Sequence, residues 1–354
     1  MRQSQIINDG YVLESIYNLI VILKKGNFFS LTMARKTLNR IRKLNKVNAM
    51  KTLEGKVVLV TGAGRGFGKY MTLAFGRMGA EVIAAARSTN ELEAIKKAIE
   101  AKDGKCTIVP TDLVKLEDMT HLRDLVEKNY GKLDTLVNAA ADNLWKEFED
   151  VTIEEWDKSI SINLRAPFIL TKLFLPMMKK QGKGSIINIS SGSAQVGFVA
   201  EIAYCPSKYG LEGMTQCLAM ELYQYNIAVN SSGVGAPDGK ILKPSKITPS
   251  EEREIPIEIR STYADDESMV NAFSEAWSFL ALQDAHGVTG QRFALRQLAE
   301  YLKVNGWEAA VANWKNKLTK AVYVSYDLPE KVRYDTQMKD KLGVLSQKER
   351  YFKR

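Results

Sequence analysis

From residue 56 onward the chain alternates short apolar runs with longer stretches in which apolar residues return every three or four positions, the pattern of strands interleaved with amphipathic helices. Strands are predicted at Val57–Val60, Glu81–Ala85, Cys106–Val109, Thr135–Asn138, Ser185–Ile189 and Ala228–Asn230. Helices are predicted at Gly66–Met78, Asn90–Ala101, Lys115–Tyr130, Ile153–Lys180 and Tyr204–Gln224. The first run, Val-Val-Leu-Val, is continuously apolar, as expected for a strand covered on both faces of a parallel sheet. Such regular alternation predicts an α/β fold, a doubly wound parallel sheet with helices on both faces, within one domain spanning residues 50–296.

Both ends depart from that pattern. Residues 1–49 form an extension in which Tyr11–Lys25 has helical spacing and Met33–Lys46 carries a basic face. The apolar run Leu19–Leu23 is short, is followed by two lysines and lacks a small-residue cleavage site, so it makes a poor secretory signal. A membrane-surface or partner-binding arm, an organellar presequence, and a bland or spurious extension upstream of a true start at Met50 all stay open. Residues 236–268 are polar, charged and contain prolines, which suits a lid over a substrate or an exposed insertion. A helical pattern follows at Ser268–Ala285, and Thr289-Gly290-Gln291 reads as the approach to a last strand. The C-terminal extension, residues 297–354, has helical periodicity at Leu298–Val304 and Trp307–Leu318 and a strand pattern at Val322–Tyr326. Its aromatic residues, Trp307, Trp314, Tyr323 and Tyr326, offer surface for the core, a neighbouring subunit or a wall of the substrate pocket.

The formal net charge of +9 changes meaning when it is divided by region. Residues 1–50 hold nine Lys/Arg and two Asp/Glu, which leaves 41 basic and 39 acidic residues for the remainder. The body is nearly neutral, and a nucleic-acid partner is not expected. No apolar run approaches the roughly 18 residues of a membrane span. Cys106, Cys205 and Cys217 are odd in number and far apart, and His121 and His286 are the only histidines, so no metal site is expected. A reducing, cytoplasmic setting follows, with peripheral membrane association or organelle targeting through residues 1–49 as alternatives.

Chemistry enters at Thr61–Gly68, Thr-Gly-Ala-Gly-Arg-Gly-Phe-Gly, where the first strand breaks into glycines and a helix resumes. Gly62, Gly64, Gly66 and Gly68 let the backbone turn sharply, and the amides around Arg65, Gly66 and Phe67 open a helix whose positive end suits a pyrophosphate. The alternative is a purely structural strand-to-helix connection. At the end of the second strand, where an acidic residue would select NAD(H), the chain has Ala-Ala-Ala-Arg-Ser. Arg87 and Arg65 could flank a 2′-phosphate, favouring NADP(H) with NAD(H) still open, or they are two solvated surface arginines. Asp112, followed by Leu113, could accept from an adenine amino group or cap a helix.

By Asn138-Ala139-Ala140-Ala141 the chain closely resembles the short-chain dehydrogenase/reductase family. The marks arrive in the family's order: the glycine turn, this Asn-Ala-Ala-Ala segment, Asn163 in the following helix, and Ser191 thirteen residues before Tyr204-x-x-x-Lys208. The resemblance runs from about Lys56 to Leu295 and implies a Rossmann-type fold. It also implies a hydride-transferring enzyme acting on a ketone or secondary alcohol, in a homodimer or homotetramer paired through the helices Ile153–Lys180 and Tyr204–Gln224. It places Asn138, Ala139, Ala140, Tyr204, Lys208 and Gly235 beside the cofactor. Tyr204 would be the acid/base, Ser191 would hold the substrate oxygen, and Asn163 would hold a water in the proton relay. Lys208, one turn beyond Tyr204, is expected to lower the phenol's pKa from about 10 and to hold the nicotinamide ribose. Ser190 and Ser193 are neighbours of the wrong spacing. The chain departs from the family where Val234-Gly235 replaces Pro-Gly and Gly239 replaces a Thr. That departure motivates an alternative: an NADP-binding regulatory or scaffold protein with little turnover.

Overall fold

The computed structural model describes residues 52–198, 200–235, 266–315 and 317. The helical patterns within residues 1–49, the stretch 236–265, Gly239 and the strand pattern at Val322–Tyr326 lie outside these residues.

Seven strands form one parallel sheet in the order β3-β2-β1-β4-β5-β6-β7. They are β1 (Val57–Thr61), β2 (Glu81–Ala86), β3 (Lys105–Pro110), β4 (Thr135–Asn138), β5 (Gly184–Ser190), β6 (Ile227–Gly233) and β7 (Arg292–Ala294). The helices are α1 (Gly66–Arg77), α2 (Thr89–Glu100), α3 (Leu116–Tyr130), α4 (Ile153–Ile160), α5 (Ala166–Gln181), α6 (Tyr204–Leu222), α7 (Asp266–Ala281) and α8 (Leu295–Trp314). The expected doubly wound α/β sheet is the observed one. The chain grows from β1 through β2 to β3, then returns to the other side of β1 as β4, which opens a crevice at the carboxyl ends of β1 and β4.

Alternation along β1 explains the two core layers. Val58 and Val60 face one side, where α1, α2, α7 and α8 supply Phe75, Ile95, Trp277 and Leu298. Val57 and Leu59 face the other, where α3, α5 and α6 supply Leu122, Phe174 and Leu222. At its amino end β1 is anchored by Asp134, which accepts from the Val57 N–H (2.9 Å) and from Lys56 Nζ (3.0 Å). Burial pushes the Asp134 carboxyl up, but these donors and the Lys132 ammonium outweigh it and hold it below its usual 3.8.

Two elements differ from the sequence expectation. The helix expected as Ile153–Lys180 is interrupted by a π-helical segment at Ser161–Arg165 between α4 and α5, which carries Asn163 inward. Within α8, Gly306 is non-helical (φ 78°, ψ 177°) and divides the stretch into two helical segments, as the periodicity at Leu298–Val304 and Trp307–Leu318 predicts. Asp266–Ser268, at the end of the expected lid, already belongs to α7. Through α8 the core gains Leu298, Leu302 and Ala310, and Trp314 stands edge-on to Phe293 of β7 with ring centroids 5.1 Å apart. Among the described residues no helix is long and apolar enough to cross a membrane.

Candidate active site

The glycine turn joins β1 to α1 at the sheet's carboxyl edge. Gly62 adopts φ 65°, and a Cβ there would lie 2.6 Å from Ala140 Cα. A Cβ on Gly68 would run into the Gly62 carbonyl oxygen, so backbone is pressed on backbone at both positions. Thr61 ties the turn to β4: its Oγ1 donates to the Val137 carbonyl and accepts from the Ala139 N–H (3.2 Å). Gly66 differs, because its φ of 57° needs glycine while nothing lies within 4 Å of where a Cβ would be. Arg65 occupies the N-cap of α1 and its side chain makes no cap hydrogen bond to the helix's first amides. That cradle fits a dinucleotide pyrophosphate.

Around it the remaining expected cofactor residues distribute unevenly. Arg65 and Arg87 are exposed. The carboxylate of Glu91, in the first turn of α2, lies against Gly64, where a Cβ would overlap it. Asp112 is not the cap of α3, whose N-cap is Lys115. Its Oδ1 instead accepts from the Val114 N–H at 3.2 Å, a local turn that uses the carboxylate two residues along its own chain. Leu113 is buried. Asn138 donates to Asn188 Oδ1 (2.8 Å) across the neighbouring strand. Gly235 is exposed beyond β6 and has nothing within 4 Å of where a Cβ would be.

Across the crevice the sheet supplies Ser191, immediately after β5, and α6 supplies Tyr204 and Lys208. Ser191 Oγ accepts from the Ser193 N–H at 3.2 Å and is hydrogen-bonded to the Tyr204 phenol. Lys208 is 2% exposed, and its ammonium donates to the Ile189 carbonyl at 2.8 Å, 5.5 Å from the Tyr204 ring centroid. Burial pulls Lys208 down to about 8 against a weaker upward pull from Glu212. Tyr204 contradicts the expectation of a lowered pKa. Burial raises its phenol above the ordinary tyrosine value, and the hydrogen bond with Ser191 only partly opposes this. Desolvation of the phenolate dominates, while the nearby ammonium is directed at a backbone carbonyl.

Asn163 sits on the π segment and exchanges hydrogen bonds with Asp142: its Nδ2 donates to the Asp142 carbonyl (2.9 Å) and its Oδ1 accepts the Asp142 N–H (2.8 Å). The same Nδ2 donates to Ser207 Oγ (3.0 Å), which donates to the Tyr204 carbonyl (2.6 Å). Sequence reasoning missed a second brace. Arg292 of β7 donates from Nη2 to the Ser191 carbonyl (2.8 Å) and from Nε to Glu212 of α6 (2.9 Å), which also accepts from Ser231 Oγ (2.7 Å). No local motif marks these residues, because each is distant in sequence from the serine they hold.

A model of the short chain dehydrogenase family matches residues 56–248, more than half of the chain. The chain belongs to that family. It is an NAD(P)-dependent oxidoreductase. It is 39% identical over 186 residues to a 3-oxoacyl-[acyl-carrier-protein] reductase of Thermotoga maritima, covering 52% of this chain and 74% of that one. It is 34% identical over 177 residues to an NAD-dependent glycerol dehydrogenase of Listeria innocua, covering 50% and 68%. In structure it resembles a metagenomic short-chain oxidoreductase in complex with NADP, with a TM-score of 0.57 and 27% identity over 69% of this chain and 97% of that one.

Proposed function

We propose that this short-chain dehydrogenase is an NADP(H)-linked reductase of ketones, or the dehydrogenase of the matching secondary alcohols, with Tyr204 as its proton donor and acceptor. The observation that carries the reading is the buried Tyr204 phenol hydrogen-bonded to Ser191, one helical turn from a buried Lys208 ammonium. A bound nicotinamide dinucleotide supplies the hydride. Burial keeps Tyr204 protonated near neutrality, which suits reduction, because the phenol already carries the proton that an oxygen gaining alkoxide character requires. Ser191 donates to the same oxygen, and the Lys208 charge steadies the phenolate left behind. Asn163, through Ser207, holds the first turn of α6 and with it the Tyr204 backbone.

Arg65 and Arg87 support a preference for NADPH by charge-assisted bonding to a 2′-phosphate. Glu91 beside Gly64 opposes them, so two cations act against one anion and the preference is moderate. We further infer a homodimer or homotetramer through α5 and α6, where Phe168 is 51% and Met220 58% exposed in the single chain. Sedimentation of only monomer at micromolar concentration contradicts that assembly.

The test is a side-by-side titration with NADPH and NADH, followed by a ketone panel monitored by loss of nicotinamide absorbance. Tight NADPH binding with turnover sustains the reading. Binding without turnover transfers it to a regulatory nucleotide-binding protein, and NADH preference removes the role given to Arg65 and Arg87.

A further inference from the structure

Arg292, on the short last strand, is a largely buried cation to which the chemistry above assigns no task. Its side chain and that of its partner Glu212 are each 14% exposed, and a pair so enclosed adds little net stability over apolar residues of the same size. What a guanidinium adds is a rigid fork, and here its two teeth serve different elements: Nε donates to Glu212 Oε1 (2.9 Å) on α6, and Nη2 donates to the Ser191 carbonyl (2.8 Å) just after β5. Nη2 also lies 3.5 Å from where a Cβ on Gly233 would be, so the guanidinium lies across the carboxyl ends of β5 and β6. The other oxygen of Glu212 accepts from Ser231 Oγ at 2.7 Å, which steadies the carboxylate that aims the fork.

These contacts close a ring. Tyr204, Lys208 and Glu212 follow one another at intervals of four and so lie along one stripe of α6. From Arg292 the ring runs to the Ser191 carbonyl, from Ser191 Oγ to the Tyr204 phenol, along α6 to Glu212, and back to Arg292. Two backbone N–H groups of its own turn also donate to Ser191, that of Ala194 to the carbonyl (3.1 Å) and that of Ser193 to Oγ (3.2 Å). They keep the shape of the turn, whereas the fork ties the turn to the helix that carries the phenol. The two groups that must meet one substrate oxygen, a hydroxyl at the end of a strand and a phenol on a helix, are thereby set against each other.

We propose that Arg292 is a positioning residue for carbonyl reduction: by clamping the Ser191 backbone to Glu212 of α6, it sets the Ser191 hydroxyl beside the Tyr204 phenol. This rests on the reductase reading given above. Arg292→Met removes both teeth of the fork. It is expected to lower kcat about tenfold on whichever ketone of the panel turns over, the loss of one charge-assisted hydrogen bond, with NADPH affinity within about twofold of wild type. Arg292→Lys keeps a charge beside Glu212 without the fork and should fall between the two. Single-turnover oxidation of bound NADPH, with enzyme in excess, separates positioning from support of the fold. In a Ser191→Ala background Arg292→Met is expected to add less than about a further twofold, because the hydroxyl to be placed is gone. An equal added loss in both backgrounds overturns the proposal. A crystal structure of Arg292→Met tests it without turnover: Ser191 Oγ should lie more than about 3.5 Å from the Tyr204 hydroxyl, and a hydrogen bond kept as in the wild type overturns the proposal. Should the methionine variant not fold, Arg292→Lys carries both comparisons. Absence of turnover across the panel defeats the reductase reading, while the crystallographic contact decides the clamp separately.

Discussion

At the glycine turn, specificity is built by leaving side chains out: Gly62 meets Ala140 and Gly68 meets Gly62 with backbone on backbone, and the cradle beside Gly66 is open. Across the crevice the proposed catalytic side is built the opposite way, by burying Tyr204, Lys208, Asn163 and Glu201 and giving each a hydrogen-bond partner. The first kind of site is fixed by steric exclusion within about ten residues of chain. The second is fixed by partners gathered from β5, α6, the π segment and β7, and each buried polar group there is costly if its partner is removed.

The contrast breaks first at the glycines. Gly68→Ala is expected to destabilise the protein by about 3 kcal/mol or more, because the methyl meets a backbone carbonyl that cannot swing aside. Gly66→Ala should cost only about 1–2 kcal/mol, the penalty of a left-handed conformation, while blocking the cradle and weakening NADPH binding. Paired denaturant titrations check this; equal losses at the two positions would erase the distinction between packing glycine and cradle glycine.

On the catalytic side, the buried Lys208 makes a signed prediction. Its ammonium is held at about 8 against an ordinary 10.5, so between these values the unfolded chain carries a proton that the folded protein lacks. Stability therefore rises with pH across that interval, by an amount on the order of 3 kcal/mol. In Lys208→Met the rise should vanish and turnover with it. Parallel pH profiles for the two proteins would contradict the burial of a charged lysine.

Asp134, at the opposite end of the sheet, serves as a control far from the chemistry. Asp134→Asn is expected to cost about 1–3 kcal/mol by leaving Lys56 and Lys132 without their carboxylate, with NADPH binding intact. Because its folded pKa is lowered, its contribution is complete above about 3.8 and is lost as pH falls through the lower folded value. Acid denaturation that is the same in wild type and variant would remove this role. The smallest effect is expected at Arg87: Arg87→Ala should weaken NADPH binding by about tenfold, roughly 1.4 kcal/mol, and NADH binding hardly at all.

The same contrast explains what could be read from the sequence. Thr61–Gly68 and Tyr204-x-x-x-Lys208 are local spacings, so they are visible in one dimension, as are the strand runs that make the parallel sheet. Arg292 reaches the Ser191 carbonyl across 101 positions, and its partner Glu212 has no motif of its own. The raised phenol pKa of Tyr204 was also invisible, since helical spacing places Lys208 nearby but says nothing of how much water the fold removes. The π segment carrying Asn163 escaped for a related reason: an apolar helical pattern does not announce the extra residue that turns one polar side chain inward. The break at Gly306 was legible, because the apolar period restarts on its far side and the residue there leaves the helical conformation.

The central claim is tested most directly by Tyr204→Phe, assayed for ketone reduction and for NADPH binding in the same preparation. The buried ring is retained and only the hydroxyl is lost, so the account predicts turnover reduced by at least about a thousandfold, in keeping with loss of a general acid, with NADPH affinity within about twofold of wild type. Retained turnover in that variant would contradict the assignment of Tyr204 as the proton donor.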